Sequence, residues 1–263
     1  MSIHTRRLAI TITLTLSACS SSDLRGEGKT FVLVHGAWMG AAGWQPVAER
    51  LTAEGAEVVV PELPAHGEDP APPGDATMAG YVDRVTAAID GAGAQVILVG
   101  HSMGGMVVSA AAEDRAGDLA ALVYVAAYVP EDGQSLLELA MSDPDSAIGD
   151  NLVDNGDGTL GIRPEVFADL FCADCDPAEK RALVAGYRPE PAAPLVTPVS
   201  LSAAAFGSVP REYIGTANDR VVSPDLQARM TEATPMDREV TLDTGHVPML
   251  AAPDALVDAL LHE

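Results

Sequence analysis

The chain has 263 residues, 48% of them hydrophobic, which is typical of a single globular domain with a sizeable core. Its formal net charge of −23 argues against nucleic acid as a partner, because the phosphates would be repelled. The same charge disfavours strongly anionic substrates.

Residues 1–18 have the pattern of a secretory signal peptide. Arginines precede a Thr-rich apolar stretch, residues 8–16, which is too short to span a membrane. Small residues stand before Cys19, and this pattern resembles a bacterial lipobox, which implies cleavage before Cys19 and lipidation of that residue. We therefore expect an exported protein, anchored to a membrane of the cell envelope through Cys19, with residues 19–29 as a tether. Cleavage nearby, which would give a secreted protein, is the alternative.

Strands and helices alternate along residues 30–129 and 209–263, which we interpret as one core. Strands are predicted at residues 30–34, 57–60, 96–99, 119–125, 211–215 and 239–242, and those at 30–34 and 96–99 are expected to be buried. Amphipathic patterns predict helices between them, including one that begins with Ser223 as cap and Pro224 at its first position. This alternation predicts an α/β fold with a mainly parallel six-stranded sheet and helices on both faces.

Residues 130–208 interrupt the alternation and are predicted to form a cap over the carboxyl edge of the sheet, where open α/β sheets bind ligands. The stretch Asn155-Gly156-Asp157-Gly158 predicts a small hairpin. Asp154 and Asp157 lack the ligand spacing of an EF-hand, so turn formation rather than calcium binding explains them. Most of the large apolar side chains of the cap are expected to be core rather than pocket, namely Leu136, Leu137, Leu139, Val166, Phe167 and Phe171.

Two further cysteines, Cys172 and Cys175, are separated by two residues. In an exported protein they could form a local disulfide, and two reduced thiols in a loop are the other interpretation. Two cysteines alone cannot form a structural zinc site. No thioredoxin-like pattern surrounds them to indicate a redox motif.

The strand at residues 96–99 leads into Gly100-His101-Ser102-Met103-Gly104, and an apolar helical pattern follows. Strand, Gly-x-Ser-x-Gly and helix in this order are the context of a nucleophile elbow. Glycines are expected on both sides of the serine, because larger side chains would collide in so sharp a turn. Ser102 is therefore predicted to be a nucleophile on strained backbone, although an ordinary glycine-rich turn remains the alternative.

A serine nucleophile needs an adjacent base, and His246 is the histidine best placed to act as one. It follows the last predicted strand and should therefore lie at the same edge of the sheet as Ser102. The other histidines lie near the chain ends or are assigned to ordering turns and loops: His4, His35, His66, His101 and His262.

Asp219, which follows the fifth predicted strand, is expected to fix the tautomer of His246. Its rivals are Asp243, which precedes the histidine, and Glu131 and Asp132, which follow the fourth strand. With Asp219 as the acid, the order along the chain is Ser, Asp, His, which is the order found in α/β-hydrolases.

A tetrahedral intermediate would also need hydrogen-bond donors for its oxyanion. One donor is expected to be the backbone N–H of Met103, directly after the nucleophile. The other is expected in the loop after the first strand, at Ala37.

Together these motifs resemble those of α/β-hydrolases, in particular the branch that holds plant methyl-ester esterases, hydroxynitrile lyases and their bacterial relatives. The resemblance covers about residues 30–261 and rests on His35-Gly36-Ala37-Trp38, Gly100 to Gly105, Asp219-Arg220 and Gly245-His246. It implies ester hydrolysis by a triad of Ser102, His246 and Asp219, an oxyanion hole at Ala37 and Met103, and no metal or organic cofactor.

Lyases of this branch carry a threonine after the strand-end histidine and a lysine after the catalytic histidine. Here those positions hold Gly36 and Val247, so hydrolysis is favoured. The expected function is therefore a serine carboxylesterase that cleaves small-molecule carboxylic esters through an acyl-enzyme on Ser102. The alternatives are an amidase, lactonase or polyester hydrolase of the same fold, and a ligand-binding homologue with low turnover.

Overall fold

The computed structural model describes residues 24–93 and 95–262. The predicted signal peptide and the predicted lipidation site at Cys19 lie outside these residues. Within the described ranges, every helix is too short or too polar to cross a membrane.

The described chain contains one large sheet and one small sheet. In chain order the strands are β1 (Thr30–Val34), β2 (Glu57–Val59), β3 (Val96–His101), β4 (Leu119–Val125), β5 (Leu152–Asp154), β6 (Thr159–Ile162), β7 (Glu190–Pro191), β8 (Arg211–Thr216) and β9 (Arg238–Leu242). Among the described residues, the large sheet has six strands in the order β2-β1-β3-β4-β8-β9, and every neighbouring pair is parallel. The predicted α/β class and six-stranded sheet are confirmed.

Helices flank the large sheet and fill the connections. They are α1 (Gln45–Ala53), α2 (Met78–Ala92), α3 (Gly104–Arg115), α4 (Leu136–Met141), α5 (Ile148–Asn151), α6 (Pro164–Phe171), α7 (Pro177–Ala185), α8 (Ala192–Val196), α9 (Pro224–Ala233), α10 (Pro248–Ala251) and α11 (Pro253–Leu261). Helix α2 packs against α3, and α1 packs against α11. Helix α9 begins as predicted, because the Ser223 hydroxyl accepts a hydrogen bond from the Leu226 N–H at 3.1 Å.

The sheet is buried along the neighbouring strands β1 and β3. All of β1 is buried, and Leu98 and Val99 of β3 have no exposed surface. Strands covered on both faces read as continuous apolar runs, which is why the sequence identified them correctly. Because all six strands run the same way, the residues that follow their carboxyl ends meet at one edge.

The segment between β4 and β8, residues 126–210, adds a small layer at that edge and is called the inserted segment below. It contains α4 to α8 and an antiparallel sheet in the order β5-β6-β7. Strands β5 and β6 form the hairpin that the Asn-Gly-Asp-Gly sequence predicted, with Gly156 and Gly158 at φ +74° and +86°.

Candidate active site

Ser102 lies in the sharp turn between β3 and α3. Its φ of +54° is in the left-handed region, which costs a non-glycine residue about 1–2 kcal/mol. A Cβ on Gly100 would lie 2.8 Å from the backbone of Gly104, and a Cβ on Gly104 would lie 2.8 Å from the carbonyl oxygen of His35. The turn therefore requires glycine at both positions, and it presents the Ser102 hydroxyl at the end of the strand.

The structure brings Ser102, His246 and Asp219 into one hydrogen-bonded chain. The Ser102 Oγ lies 2.9 Å from the His246 Nε2. The Nδ1 of the same ring lies 2.8 Å from the Asp219 Oδ2. A ring that donates from Nδ1 to the carboxylate keeps Nε2 free to accept the serine proton. All three side chains are buried or nearly so.

The Asp219 carboxylate is held by its own loop. Its Oδ1 accepts hydrogen bonds from the N–H groups of Val221, at 2.7 Å, and Val222, at 3.0 Å. Its Oδ2 also accepts from the Thr216 hydroxyl at 2.9 Å. Every partner is a donor, so the site is built for an ionised carboxylate whose orientation is fixed.

The rival acids lie elsewhere in the structure. Asp243 is exposed and accepts a hydrogen bond from the Asn218 side chain at 2.9 Å. The Asp132 carboxylate accepts from the Leu201 N–H at 2.8 Å, and Glu131 is exposed and lies beside Gln134. Among the described acidic residues, Asp219 is the one hydrogen-bonded to the His246 ring.

Two other histidines have the ordering roles that the sequence suggested. The His101 Nε2 donates to the His246 carbonyl oxygen at 2.8 Å and so holds the backbone of that residue. The His35 Nε2 accepts from the Leu63 N–H at 3.1 Å. Burial lowers the pKa of both imidazoles, so each is neutral near pH 7.

A cavity of about 300 Å³ opens beside Ser102. Its walls are mainly apolar and come from both the core and the inserted segment. Leu136 and Leu137 line it, whereas Leu139, Phe167 and Phe171 are buried without lining it. The prediction that most apolar cap residues are core is therefore confirmed, since Leu136 is also buried in the core and Val166 packs against it. Leu137 is the exception, because it is partly exposed and lines the cavity. The faces of this short helix could not be assigned from its sequence.

Ala37 and Met103 line the same cavity as Ser102. Within residues 24–93 and 95–262, neither backbone N–H donates a hydrogen bond to another protein group. Buried N–H groups are rarely left without an acceptor, so a pair of them beside a serine hydroxyl is suited to receive a ligand oxygen.

One contact of the histidine loop was not foreseen. Cys172 and Cys175 are joined in a disulfide, and Asp174 lies between them. The Asp174 Oδ2 accepts a hydrogen bond from the Gly245 N–H at 2.8 Å, directly before His246. The Phe171 ring meets the His246 ring edge to face, with centroids 5.4 Å apart. The inserted segment thus braces the loop that carries the histidine.

Replacing Asp174 by alanine is expected to lower kcat about tenfold with little change in KM, because small displacements of a proton-transferring group are costly. Steady-state kinetics on an ester substrate would measure this effect. The control is Asp169→Ala, which removes an exposed carboxylate paired with Lys180 on the same segment. Equal kcat values for the two variants would show that this brace is not needed.

The parallel sheet, the glycine-flanked serine turn and the buried Ser-His-Asp chain define a hydrolase of the α/β type. The chain belongs to the alpha/beta hydrolase family, whose model matches residues 31–259. This membership covers the core and the inserted segment alike.

Several curated relatives of the chain are named as methylesterases. Methylesterase 7 of Arabidopsis thaliana is 29% identical over 90% of this chain and 96% of its own length. A protein named as chloroplastic methylesterase 11 from the same plant is 29% identical over 89% of this chain, which spans 64% of that longer relative. Among solved structures, a pyrethroid hydrolase has a TM-score of 0.77 at 26% identity, covering 89% of this chain and 96% of its own. The chain is therefore related to plant methylesterases.

Proposed function

We propose that this protein is a serine carboxylesterase that cleaves small, neutral carboxylic esters. The observation that carries the proposal is the chain of hydrogen bonds from Asp219 through His246 to Ser102, together with the apolar cavity that Ser102 lines. Similarity to methylesterases and to a pyrethroid hydrolase supports an ester as the substrate.

In the first half of the reaction, the Ser102 Oγ attacks the ester carbonyl while the His246 Nε2 takes its proton. The carbonyl oxygen becomes an oxyanion, which accepts hydrogen bonds from the N–H groups of Ala37 and Met103. The C–O bond to the alcohol then breaks, and His246 returns the proton to the leaving alcohol. The acyl group remains on Ser102.

In the second half, a water molecule attacks the acyl-enzyme and His246 takes the water proton. Collapse of the second tetrahedral intermediate releases the carboxylic acid and returns the proton to Ser102. Asp219 remains ionised throughout and stabilises the imidazolium that forms twice in each cycle.

The cavity walls support a neutral, apolar acyl group. Within the described residues, no lysine or arginine lines the cavity. Its one acidic side chain, Asp143, is already used by Ser223, whose hydroxyl and N–H donate to the carboxylate at 2.6 and 2.9 Å. A substrate carboxylate would lose its hydration without gaining a partner.

The proposal is tested with p-nitrophenyl butanoate and the p-nitrophenyl monoester of succinate, whose acyl chains are nearly equal in length. We expect kcat/KM for the butanoate to be at least about 100-fold higher, since burying an unpaired carboxylate costs several kcal/mol. A preference for the succinate monoester would contradict the assigned substrate class.

Two further probes separate the proposal from its alternatives. Faster cleavage of a butanoyl anilide or of a lactone than of the ester would indicate an amidase or lactonase. A stoichiometric burst of p-nitrophenol without steady turnover would indicate a ligand-binding homologue. Sustained ester turnover is the result that the proposal requires.

A further inference from the structure

Glu190 is a fully buried acid that the proposed reaction steps do not use. It belongs to β7 of the inserted segment, yet its carboxylate reaches into the core. The Oε2 lies 2.7 Å from the Nε2 of His66, which is also fully buried. The Tyr81 hydroxyl points at the Oε1 from 3.4 Å.

The same carboxylate holds the backbone beside the candidate oxyanion hole. The Trp38 N–H donates to the Glu190 Oε2 at 3.1 Å. Trp38 directly follows Ala37, and its φ of +59° is unusual for a residue with a side chain. Two further bonds from the inserted segment hold Trp38: its indole Nε1 donates to the Leu160 carbonyl at 2.8 Å, and its carbonyl oxygen accepts from the Arg188 N–H at 3.1 Å. An unusual backbone conformation persists only where surrounding contacts hold it.

The contacts of the His66 ring favour its protonated form. Burial by itself would lower the pKa of His66, but the adjacent Glu190 charge and its hydrogen bond raise that pKa above its ordinary value. The two ring nitrogens face acceptors, since the Nδ1 lies 3.0 Å from the Pro64 carbonyl oxygen. A buried ion pair is seldom more stabilising than apolar side chains of the same size, so its presence calls for another role.

We propose that Glu190 is a positioning residue, which holds the oxyanion hole in the geometry that stabilises the transition state. Its carboxylate fixes the Trp38 backbone and thereby aims the neighbouring Ala37 N–H at the developing oxyanion, while the hydrogen bond to His66 keeps the carboxylate oriented. This inference rests on the proposed function, because it requires Ala37 to be an oxyanion donor. It makes the inserted segment part of the catalytic geometry as well as a cavity wall.

The experiment compares Glu190→Ala and Glu190→Gln with the wild type. For p-nitrophenyl butanoate, Glu190→Ala is expected to lower kcat about 30-fold or more, with KM changed by less than about threefold. Glu190→Gln keeps an oxygen that accepts from the Trp38 N–H, so it should recover most of the lost kcat.

Paired inhibitors isolate the oxyanion. A trifluoromethyl ketone adds the Ser102 hydroxyl and forms an oxyanion, whereas the matching methyl ketone binds without reacting. Glu190→Ala should weaken the trifluoromethyl ketone by the same factor as kcat and leave the methyl ketone unchanged. Equal weakening of both ketones, or an unchanged kcat, would overturn the proposal.

A double variant keeps the test decisive if Glu190→Ala does not fold. Glu190→Met combined with His66→Leu removes both charges together, which proteins often tolerate, and it also removes the acceptor for the Trp38 N–H. It should fold and show the same selective loss of kcat and of trifluoromethyl ketone affinity. A double variant with wild-type kinetics would refute the inference.

The matched control is Glu113→Ala. The Glu113 carboxylate also accepts two backbone N–H bonds, from Ser202 at 2.8 Å and Phe206 at 3.2 Å, away from the candidate site. It should keep wild-type kcat and the wild-type ratio of ketone affinities. A wild-type protein that turns over no ester would overturn the proposed function itself, which is a result distinct from a Glu190 variant that behaves like an active wild type.

Discussion

Replacing Ser102 by alanine is expected to lower kcat for p-nitrophenyl butanoate by about 10⁶-fold, the loss typical of removing the nucleophile from a serine triad. The reason is geometric. The Ser102 Oγ is the atom that is hydrogen-bonded to the His246 Nε2, so no acyl-enzyme is expected to form once this oxygen is removed. Alanine leaves the turn and the strand unchanged, and the circular dichroism spectrum and thermal midpoint should stay close to the wild type. Steady-state kinetics measures the loss.

A phosphonate ester provides an independent check of the same prediction. It should label the wild type at one site per chain and leave Ser102→Ala unlabelled. Ser208→Ala is the matched control, because it makes the same chemical change at an exposed serine in a short turn. Activity of Ser102→Ala close to that of the wild type would mean that another group is the nucleophile.

Asp219→Asn is expected to lower kcat about 10⁴-fold at neutral pH, with a much smaller change in KM. Three N–H groups and one hydroxyl donate to this carboxylate, from His246, Val221, Val222 and Thr216. The amide that replaces the carboxylate has only one oxygen, so its NH₂ group must face either the two backbone N–H groups or the His246 ring and the Thr216 hydroxyl. If the NH₂ faces the ring, the Nδ1 must accept and the proton moves to the Nε2. His246 then cannot accept the proton of Ser102.

The exposed rival Asp243 supplies the control for this substitution. Asp243→Asn makes the same change at a carboxylate bonded to the Asn218 side chain, and we expect kcat within about twofold of the wild type, as for most surface changes. A large loss in Asp243→Asn together with a small loss in Asp219→Asn would reassign the acid. Measuring both variants on one ester settles the choice.

The sequence predicted the sheet well because its strands leave local patterns. Strands β1, β3 and β4 are mainly apolar runs, and the observed ends of all six strands of the large sheet differ little from the predicted ones. Helix α10, a single turn at Pro248–Ala251, was missed, because four residues show no helical period. The short helices α5 and α8 of the inserted segment were missed for the same reason.

The residues of the candidate site also fall into two groups, those that the sequence could predict and those that it could not. Ser102, Asp219 and His246 could be chosen because each follows a predicted strand, and strand ends of a parallel sheet meet at one edge. Glu190 and Asp174 could not be chosen, because their partners at the site are 152 and 71 residues away in sequence. Neither residue lies in a catalytic motif, and only the packing of the inserted segment on the core brings each to its partner.

The walls of the cavity come from two different parts of the chain, the core and the inserted segment. Ser102 and Met103 come from the core, whereas Leu136, Ile148 and Leu195 come from the inserted segment. Size and shape selectivity can therefore diverge through the second group while the chemistry of the first is preserved. This division allows ester preference to evolve without loss of the catalytic residues. A small library that varies only Leu136, Ile148 and Leu195 is therefore the simplest way to change the preference.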